Sequence, residues 1–545
     1  MKFTEYLLSY LKQAGITKIF GVPGREGEYI RFNEIPGIEY ISTHLEFNGG
    51  LIADYLARIT QTVQVCFCTL GPGATTAFTP LASSRLNFSP TIFIFAQVEH
   101  DNIFYNLTHQ CVDQISMAHP LAKWAYELKT PDEITSVLDK AFAIALEEPV
   151  GPVVLSIPID FFATDISIKN IDLPVSNKSF FPPQDIDQKN IIHAHKLISE
   201  ATSPLCLIGY ETIRARAQND VIKFCEQWNI PMITSANAKG ILKETHPLNL
   251  GAVSPYMAGI LGSETVLDDL FANRDLIITV GYQYVDDIYP SMWNRGVSKN
   301  LVHISAFSAA SLEPQYNPDV SCLGKIQDSF HLLRQFPAEP KSMDGIHTYK
   351  NKIEAVYQKK ITDKELSIFH LIKTINENLQ EGIFVTDVGF FKHYAILFAQ
   401  PQTAGQFITD AGLSSFGTGL GAAAAAQIAH PDKTIFLLCG DGGFQASSCD
   451  LSTLVQQHLP IIIIIANTRS YELIHRYQLK RASNEKQAND TITSFNPVDY
   501  TLLAKAHGCN SFRAETVEEL NYHISMHDRK KPLIIECPIT YKEFL

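Results

Sequence analysis

No uninterrupted apolar run in the 545 residues approaches the length of a membrane-spanning helix, so no such span is expected. None of the ten cysteines (66, 68, 111, 206, 225, 322, 439, 449, 509 and 537) forms a CxxC pair, the usual spacing of zinc and dithiol redox sites. Several lie in apolar, strand-like runs and read as reduced core thiols of a cytoplasmic protein. Met1-Lys-Phe-Thr leads directly into an amphipathic helix without a secretory signal's apolar core, which fits the same compartment. The middle of the chain has no GxGxxG fingerprint, so flavin or nicotinamide has little support there. Positive charge is in deficit: the net charge of -13 speaks against a nucleic-acid surface but leaves room for a local basic pocket. With 19% charged and 46% hydrophobic residues the chain is globular, and its length calls for about three domains rather than one core.

The most informative stretch runs from Gly440 to Tyr471. A buried strand, Thr434 to Cys439, ends in Gly440-Asp-Gly-Gly443, where glycines allow close backbone approach and Asp441 offers a hard oxygen ligand. A helical segment is expected from Ser447 to His458. The apolar run Ile461 to Ile465 then reads as a second buried strand, delivering Asn467 and Thr468 to the same sheet edge. In an open parallel sheet, ligands bind beyond the carboxyl ends of the strands. A carboxylate and neighbouring amide or hydroxyl oxygens suit magnesium with phosphate oxygens. The bland alternative is an ordinary strand-helix-strand unit with a glycine turn.

Upstream, the chain reads as α/β throughout. A strand ends near His44, and Glu46 opens a helix rich in small residues, a position where a carboxylate commonly does no more than offset the helix dipole. The strand Val63 to Thr69 leads into the tight turn Gly71-Pro-Gly73 and a helix. After the strand Thr91 to Gln97, a polar, aromatic loop carries His109 and Gln110. A lone histidine there is usually a satisfied polar residue, although loops beyond strand ends are where catalytic groups sit. Polar connectors are expected at about 163–188 and 337–364. These divide the chain into domains at 1–165, 189–335 and 365–545, each a doubly wound α/β layer with a mainly parallel sheet, the first and last alike in plan.

These motifs resemble the thiamine-diphosphate enzymes. The resemblance rests on GDG at 440–442 with its fixed interval to Asn467-Thr468, on Glu46 ahead of Ala53-Asp-Tyr-Leu-Ala-Arg58, and on the Gly71-Pro-Gly73 turn. It implies thiamine diphosphate and Mg2+ as cofactors, with Glu46 hydrogen-bonded to the aminopyrimidine ring. The metal shell is expected from Asp441, Thr468, Asn467 and the Ser470 carbonyl, Thr468 standing where the family has its second asparagine. Gly73, Val388, Gly389, Phe390, Phe391, Ser414, Ser415, Phe416, Asp441, Gly442, Gly443, Thr468, Ser470 and Tyr471 would bind the cofactor.

Runs such as Gly24-Arg-Glu, Thr108-His-Gln-Cys and Asp387-Val-Gly-Phe-Phe-Lys-His-Tyr look like one branch of the family, the N2-(2-carboxyethyl)arginine synthases. That likeness implies His109, Gln110, Tyr256, Lys392 and His393 as further catalytic residues. The reaction implied joins a three-carbon unit from glyceraldehyde 3-phosphate to an amine, through an acryloyl stage with phosphate release. Acetolactate-synthase-like carboligation or decarboxylation of a 2-oxo acid is the alternative, and a non-catalytic homologue the third reading. Family precedent also implies a homodimer or homotetramer with active sites between subunits, and small-molecule substrates rather than nucleic acid or membrane.

Overall fold

The computed structural model describes the chain except residues 31, 33, 34, 106, 107, 168–185, 309–315, 344, 345, 483–490 and 542–545. Three six-stranded sheets, parallel throughout, organise it. The first contains β1 (Lys18–Gly21), β2 (Glu39–Ser42), β3 (Gln64–Cys68), β4 (Thr91–Gln97), β5 (Trp124–Glu127) and β6 (Val153–Pro158), in the order β2-β1-β3-β4-β6-β5. The second contains β7 (Pro204–Ile208), β8 (Met232–Thr234), β9 (Asn249–Ala252), β10 (Leu276–Val280), β11 (Asn300–Ser305) and β12 (Val320–Leu323). The third contains β13 (Ile383–Thr386), β14 (Phe407–Ile408), β15 (Ile435–Gly440), β16 (Ile462–Asn467), β17 (Asn510–Arg513) and β18 (Leu533–Pro538), ordered β14-β13-β15-β16-β18-β17. Counted from the first strand of each, the first and third sheets share one order, so their likeness in plan holds strand for strand. Mostly apolar runs form interior strands: β4, β6 and β16 are buried along their whole length, as a sheet covered on both faces requires.

All strands of each sheet fall within 1–165, 189–335 and 365–545 respectively, but the compact units are two. One comprises 1–182, 413–432 and 447–459; the other 183–412, 433–446 and 460–545. Two segments lying in sequence among the strands of the third sheet therefore pack with the first. One is the alanine-rich helix Thr418–Ala429, which lies against the helix Glu46–Thr60, both faced by small residues.

Two sequence expectations are corrected. The connector expected at 337–364 contains a helix, Ile346–Lys360, whose buried Tyr349 and Tyr357, with Ile353 and Val356, join the core of the second unit; its lysines masked that apolar spacing. The helix expected from Ser447 begins instead at Asp441, runs to Ser447, and resumes at Leu451–Gln456 after one tight turn. All ten cysteines are free, eight of them buried, and among the described residues no helix is long and apolar enough to cross a membrane.

The middle sheet runs β12-β11-β10-β7-β8-β9, so strand order reverses between β7 and β10, where a doubly wound sheet ordinarily opens a ligand crevice. Here the chain closes it. Gly209 N–H donates to the Val280 carbonyl (2.9 Å) and Glu211 N–H to that of Gly281 (3.2 Å); a Cβ at Gly209 would lie 2.3 Å from the Gly281 oxygen. Two buried carboxylates accept further hydrogen bonds here. Asp286 accepts from Tyr210 N–H, Gln283 N–H and the Ser235 hydroxyl, and Glu211 from the Ser305 hydroxyl and Ala306 N–H. Purified protein should therefore release no flavin on denaturation, and calorimetric titration with flavin or nicotinamide dinucleotides should give no binding heat. Stoichiometric flavin in the denatured supernatant would show the crevice open.

Candidate active site

In the first unit, β2 ends at Ser42 and the chain turns into the helix that Glu46 begins. The start of this helix is fixed by Asp450. Its buried carboxylate accepts the His44 N–H at 2.7 Å and the Thr453 hydroxyl at 2.8 Å, and takes the Asn48 amide on its other oxygen. Residues on either side of Glu46 are thus tied to one anchor. The Glu46 carboxyl is buried beside the Gly71-Pro-Gly73 turn. A Cβ at Gly73 would lie 2.8 Å from Glu46 Oε1, so only glycine leaves the carboxyl its place. Burial pushes the Glu46 carboxyl above the usual range, its own backbone N–H pulls it back, and the charge of Glu26 adds to the rise.

Gln110, with a left-handed backbone (φ 62°), lies over Gly71, its carbonyl oxygen 2.7 Å from where a Gly71 Cβ would be. His109 and Gln110 are both exposed, so this loop reaches the turn through its backbone. Ser414 also has positive φ (54°), and Phe416 beside it is 48% exposed, high for an apolar side chain.

In the second unit, β15 delivers Asp441 and β16 delivers Asn467, as the buried runs imply. Asp441 is buried. Its Oδ1 accepts the Gly442 N–H at 2.9 Å, while Oδ2 has no hydrogen-bond partner. Burial pushes this carboxyl up to about 6, and the backbone N–H groups of Gly442 and of residues 468–470 work against the rise. The Thr468 hydroxyl donates to the Ser470 carbonyl at 3.2 Å, placing two more oxygens together. A lone carboxylate oxygen with hydroxyl and carbonyl oxygens beside it is a donor set for a hard cation such as Mg2+, and the residues fit the ion on that ground.

The Asn467 side chain makes two hydrogen bonds. Its amide donates to Glu536 at 2.8 Å and its oxygen accepts the Arg469 N–H at 3.1 Å. The Tyr471 ring packs edge-on against Phe495, and a Gly442 Cβ would meet it at 2.7 Å. At the end of β13, Val388 and Gly389 lead into the helix Phe390–Phe398, and the Phe391 ring covers two glycines, 2.4 Å from where a Cβ at Gly389 would lie and 3.0 Å from one at Gly440.

Lys392, on the same helix, is buried and donates to the Asp410 carbonyl at 3.0 Å. Burial lowers its proton affinity, and the carboxylates of Asp287, Asp410 and Asp387 oppose that. The adjacent His393 is held well below its ordinary range by burial and by the Lys392 charge, so its ring is neutral. Its Nδ1 lies 3.0 Å from the Ser254 hydroxyl, and its ring meets Tyr256 edge-on at 4.3 Å. Tyr477 donates to the Tyr256 hydroxyl at 2.8 Å.

The structure thus gathers Tyr256, Lys392 and His393, which the sequence only suggested, and adds Ser254, Asp287 and Tyr477, which it did not. Asp287 had one signal, the Asp286-Asp287 pair just past the end of β10. Burial raises its carboxyl, while Lys392 and the Tyr289 hydroxyl hold it down. Replacing Asp287 by asparagine should leave Lys392 less able to keep its proton. We expect KM for an anionic substrate to rise about tenfold, and the alkaline limb of kcat/KM to move to lower pH. An unchanged pH profile would remove Asp287 from this role.

Three models of one family match the chain in order. The N-terminal TPP binding domain of thiamine pyrophosphate enzymes matches residues 1–117, their central domain 191–333, and their C-terminal TPP binding domain 387–537. The acetolactate synthase large subunit of Porphyra purpurea is 26% identical over 98% of this chain and 92% of its own length. The probable acetolactate synthase large subunit of Methanocaldococcus jannaschii is 26% identical over 95% and 88%, and that of Lactococcus lactis subsp. lactis, named acetolactate synthase large subunit, 26% over 99% and 93%. None of these three carries the name of a carboxyethyl-amino-acid synthase. With the three domains of one family matched in order, over sheets that supply a buried glutamate and a GDG turn, the chain belongs to the thiamine pyrophosphate enzymes.

Proposed function

We propose that the chain is a thiamine-diphosphate-dependent carboligase or decarboxylase of 2-oxo acids, of the acetolactate synthase type. The observation that carries the reading is Glu46, a carboxyl buried at a helix start and held beside the Gly73 turn, in a chain whose relatives by that name align along nearly its whole length. When bound, thiamine diphosphate supplies a nucleophilic carbon and an electron sink for the electrons left as a 2-oxo acid loses carbon dioxide. Asp441, Thr468 and the Ser470 carbonyl would hold Mg2+ and through it the diphosphate, with Asn467 left to its bond with Glu536. Gly442, Gly443, Tyr471 and residues 388–391 would line the diphosphate and thiazolium, and Gly73 and Ser414 to Phe416 the pyrimidine side. Glu46 holds a proton at a carboxyl oxygen for the pyrimidine ring nitrogen.

Lys392 binds the substrate's carboxylate as a buried point charge. His393, kept neutral, and Tyr256 accept and return protons beside it, and His109 and Gln110 serve from their exposed loop. Following family precedent, the active assembly is a homodimer or homotetramer with active sites between subunits.

Lys392 also supports a second reading, since a buried ammonium serves a phosphate as well as a carboxylate. Transfer of a three-carbon unit from glyceraldehyde 3-phosphate to an amine would use it in that way. The deciding experiment supplies protein, thiamine diphosphate and Mg2+ with pyruvate, and separately with glyceraldehyde 3-phosphate and arginine. Carbon dioxide from pyruvate without phosphate release supports the carboligase. Phosphate release from the triose moves the assignment to the second reading, and failure to bind the cofactor leaves a non-catalytic homologue.

A further inference from the structure

Glu26 and Glu46 are two carboxyl groups of one buried pocket in the first unit, at 1% and 7% exposure. Both Glu26 oxygens are acceptors: Oε1 takes the Gly24 N–H at 2.7 Å and Oε2 the Thr69 hydroxyl at 2.9 Å. An ionised carboxylate is acceptor-only, and a donor facing each oxygen is the arrangement such a group makes. Thr69 reaches towards the second carboxyl as well. Its methyl and Glu46 Oε1 flank the Gly73 Cβ position at 2.7 and 2.8 Å.

The other titratable groups that sense this pocket are Tyr40 from β2 and Cys66 and Cys68 from β3, with His44 and its partner Asp450 at the helix start. The Tyr40 hydroxyl is buried without a partner, and the two thiols lie 3.5 Å apart. Of these groups only His44 can carry positive charge, and it is committed to Asp450.

We propose that Glu26 is a positioning residue: a fixed negative charge, locked by Gly24 and Thr69, that keeps the proton on Glu46. The inference rests on reading Glu46 as the group that faces the cofactor's pyrimidine. Two carboxyls in one desolvated pocket cannot ionise together cheaply, so hydrogen bonds to one decide which stays neutral. Burial of Glu46 and the Glu26 charge act in the same direction on it. The result is a carboxyl that still has a proton to donate where a free glutamate has lost its own. This division of roles has its source in the Gly24-Arg-Glu turn, which no part of the cofactor motif includes.

The test reads the proton directly in the cofactor-free full-length protein. The infrared carbonyl stretch of protonated Glu46, assigned as the band lost in Glu46→Gln, is titrated from about pH 4 to pH 8 in the native protein and in Glu26→Gln. We expect the midpoint to fall by about half a unit to one unit in Glu26→Gln. An unchanged midpoint in folded Glu26→Gln protein overturns the proposal. Should that variant not fold, the near-isosteric Thr69→Val removes the hydroxyl bonded to Glu26 Oε2 and should lower the midpoint by a smaller step; no shift there overturns it equally. Since no cofactor is present, a protein that binds no thiamine diphosphate would refute the proposed function while leaving this result standing.

Discussion

Replacing Glu46 by glutamine should lower kcat by about a thousandfold while leaving thiamine diphosphate affinity nearly unchanged. The side chain keeps its volume and the helix start keeps its anchor in Asp450, so the pocket survives. What is lost is the group that holds and passes a proton, a contribution of roughly 10² to 10⁴ in rate for a positioned acid or base. Steady-state kinetics with calorimetric titration of the cofactor separates the two quantities. A variant retaining more than about a tenth of the native rate would remove Glu46 from the chemistry.

Stability adds a second signature. The Glu46 carboxyl is raised by burial, so the folded state binds its proton more tightly than the unfolded chain does. Stability is therefore lost as pH rises from the ordinary carboxyl range through the raised folded value, and the loss persists above it. The glutamine variant has no such proton. It should match the native protein under acid conditions and unfold at higher temperature near neutrality.

Asp441→Asn should remove most of the Mg2+-dependent stabilisation by the cofactor. Asp441 is the carboxylate of the hard-oxygen set, and its unpartnered Oδ2 is the oxygen best placed to meet a cation. An amide in its place contributes one neutral oxygen, and loss of affinity of about a hundredfold or more is expected. At cofactor concentrations about a hundred times the native Kd, the native protein gains about 2.7 kcal/mol, and the variant at the same concentration about 0.4 kcal/mol. Thermal unfolding with and without Mg2+ and thiamine diphosphate reads this difference. The cofactor-free variant should be no less stable than the native protein, because a buried carboxyl pushed up to about 6 is replaced by a neutral group. Retention of the full native shift would place the metal elsewhere.

The local features of this chain were legible because each has a local cause. The isoleucine run at 461–465 becomes β16 because a strand covered on both faces needs apolar side chains on both. Glu46 opens a helix, and the turn at Gly71 is followed by Pro72 at the first helical position. The Ile346–Lys360 helix was not legible because four lysines among its fifteen residues hid an apolar face that only packing reveals.

The sequence by itself determined the three α/β layers, the order of their motifs and the chemistry offered by Glu46, Asp441 and Lys392. Only the tertiary structure decided which groups these meet. It set Glu26 and Thr69 beside Glu46, Asp287 opposite Lys392, Tyr256 against His393, and Glu536 on the Asn467 amide. It also closed the middle sheet's crevice with Glu211 and Asp286. Strand and helix formation follow from short-range spacing, which a sequence displays. Proton affinities and ligand sets depend on desolvation and on neighbours brought together by parallel crossovers tens to hundreds of residues long, and those exist only once the sheets have formed.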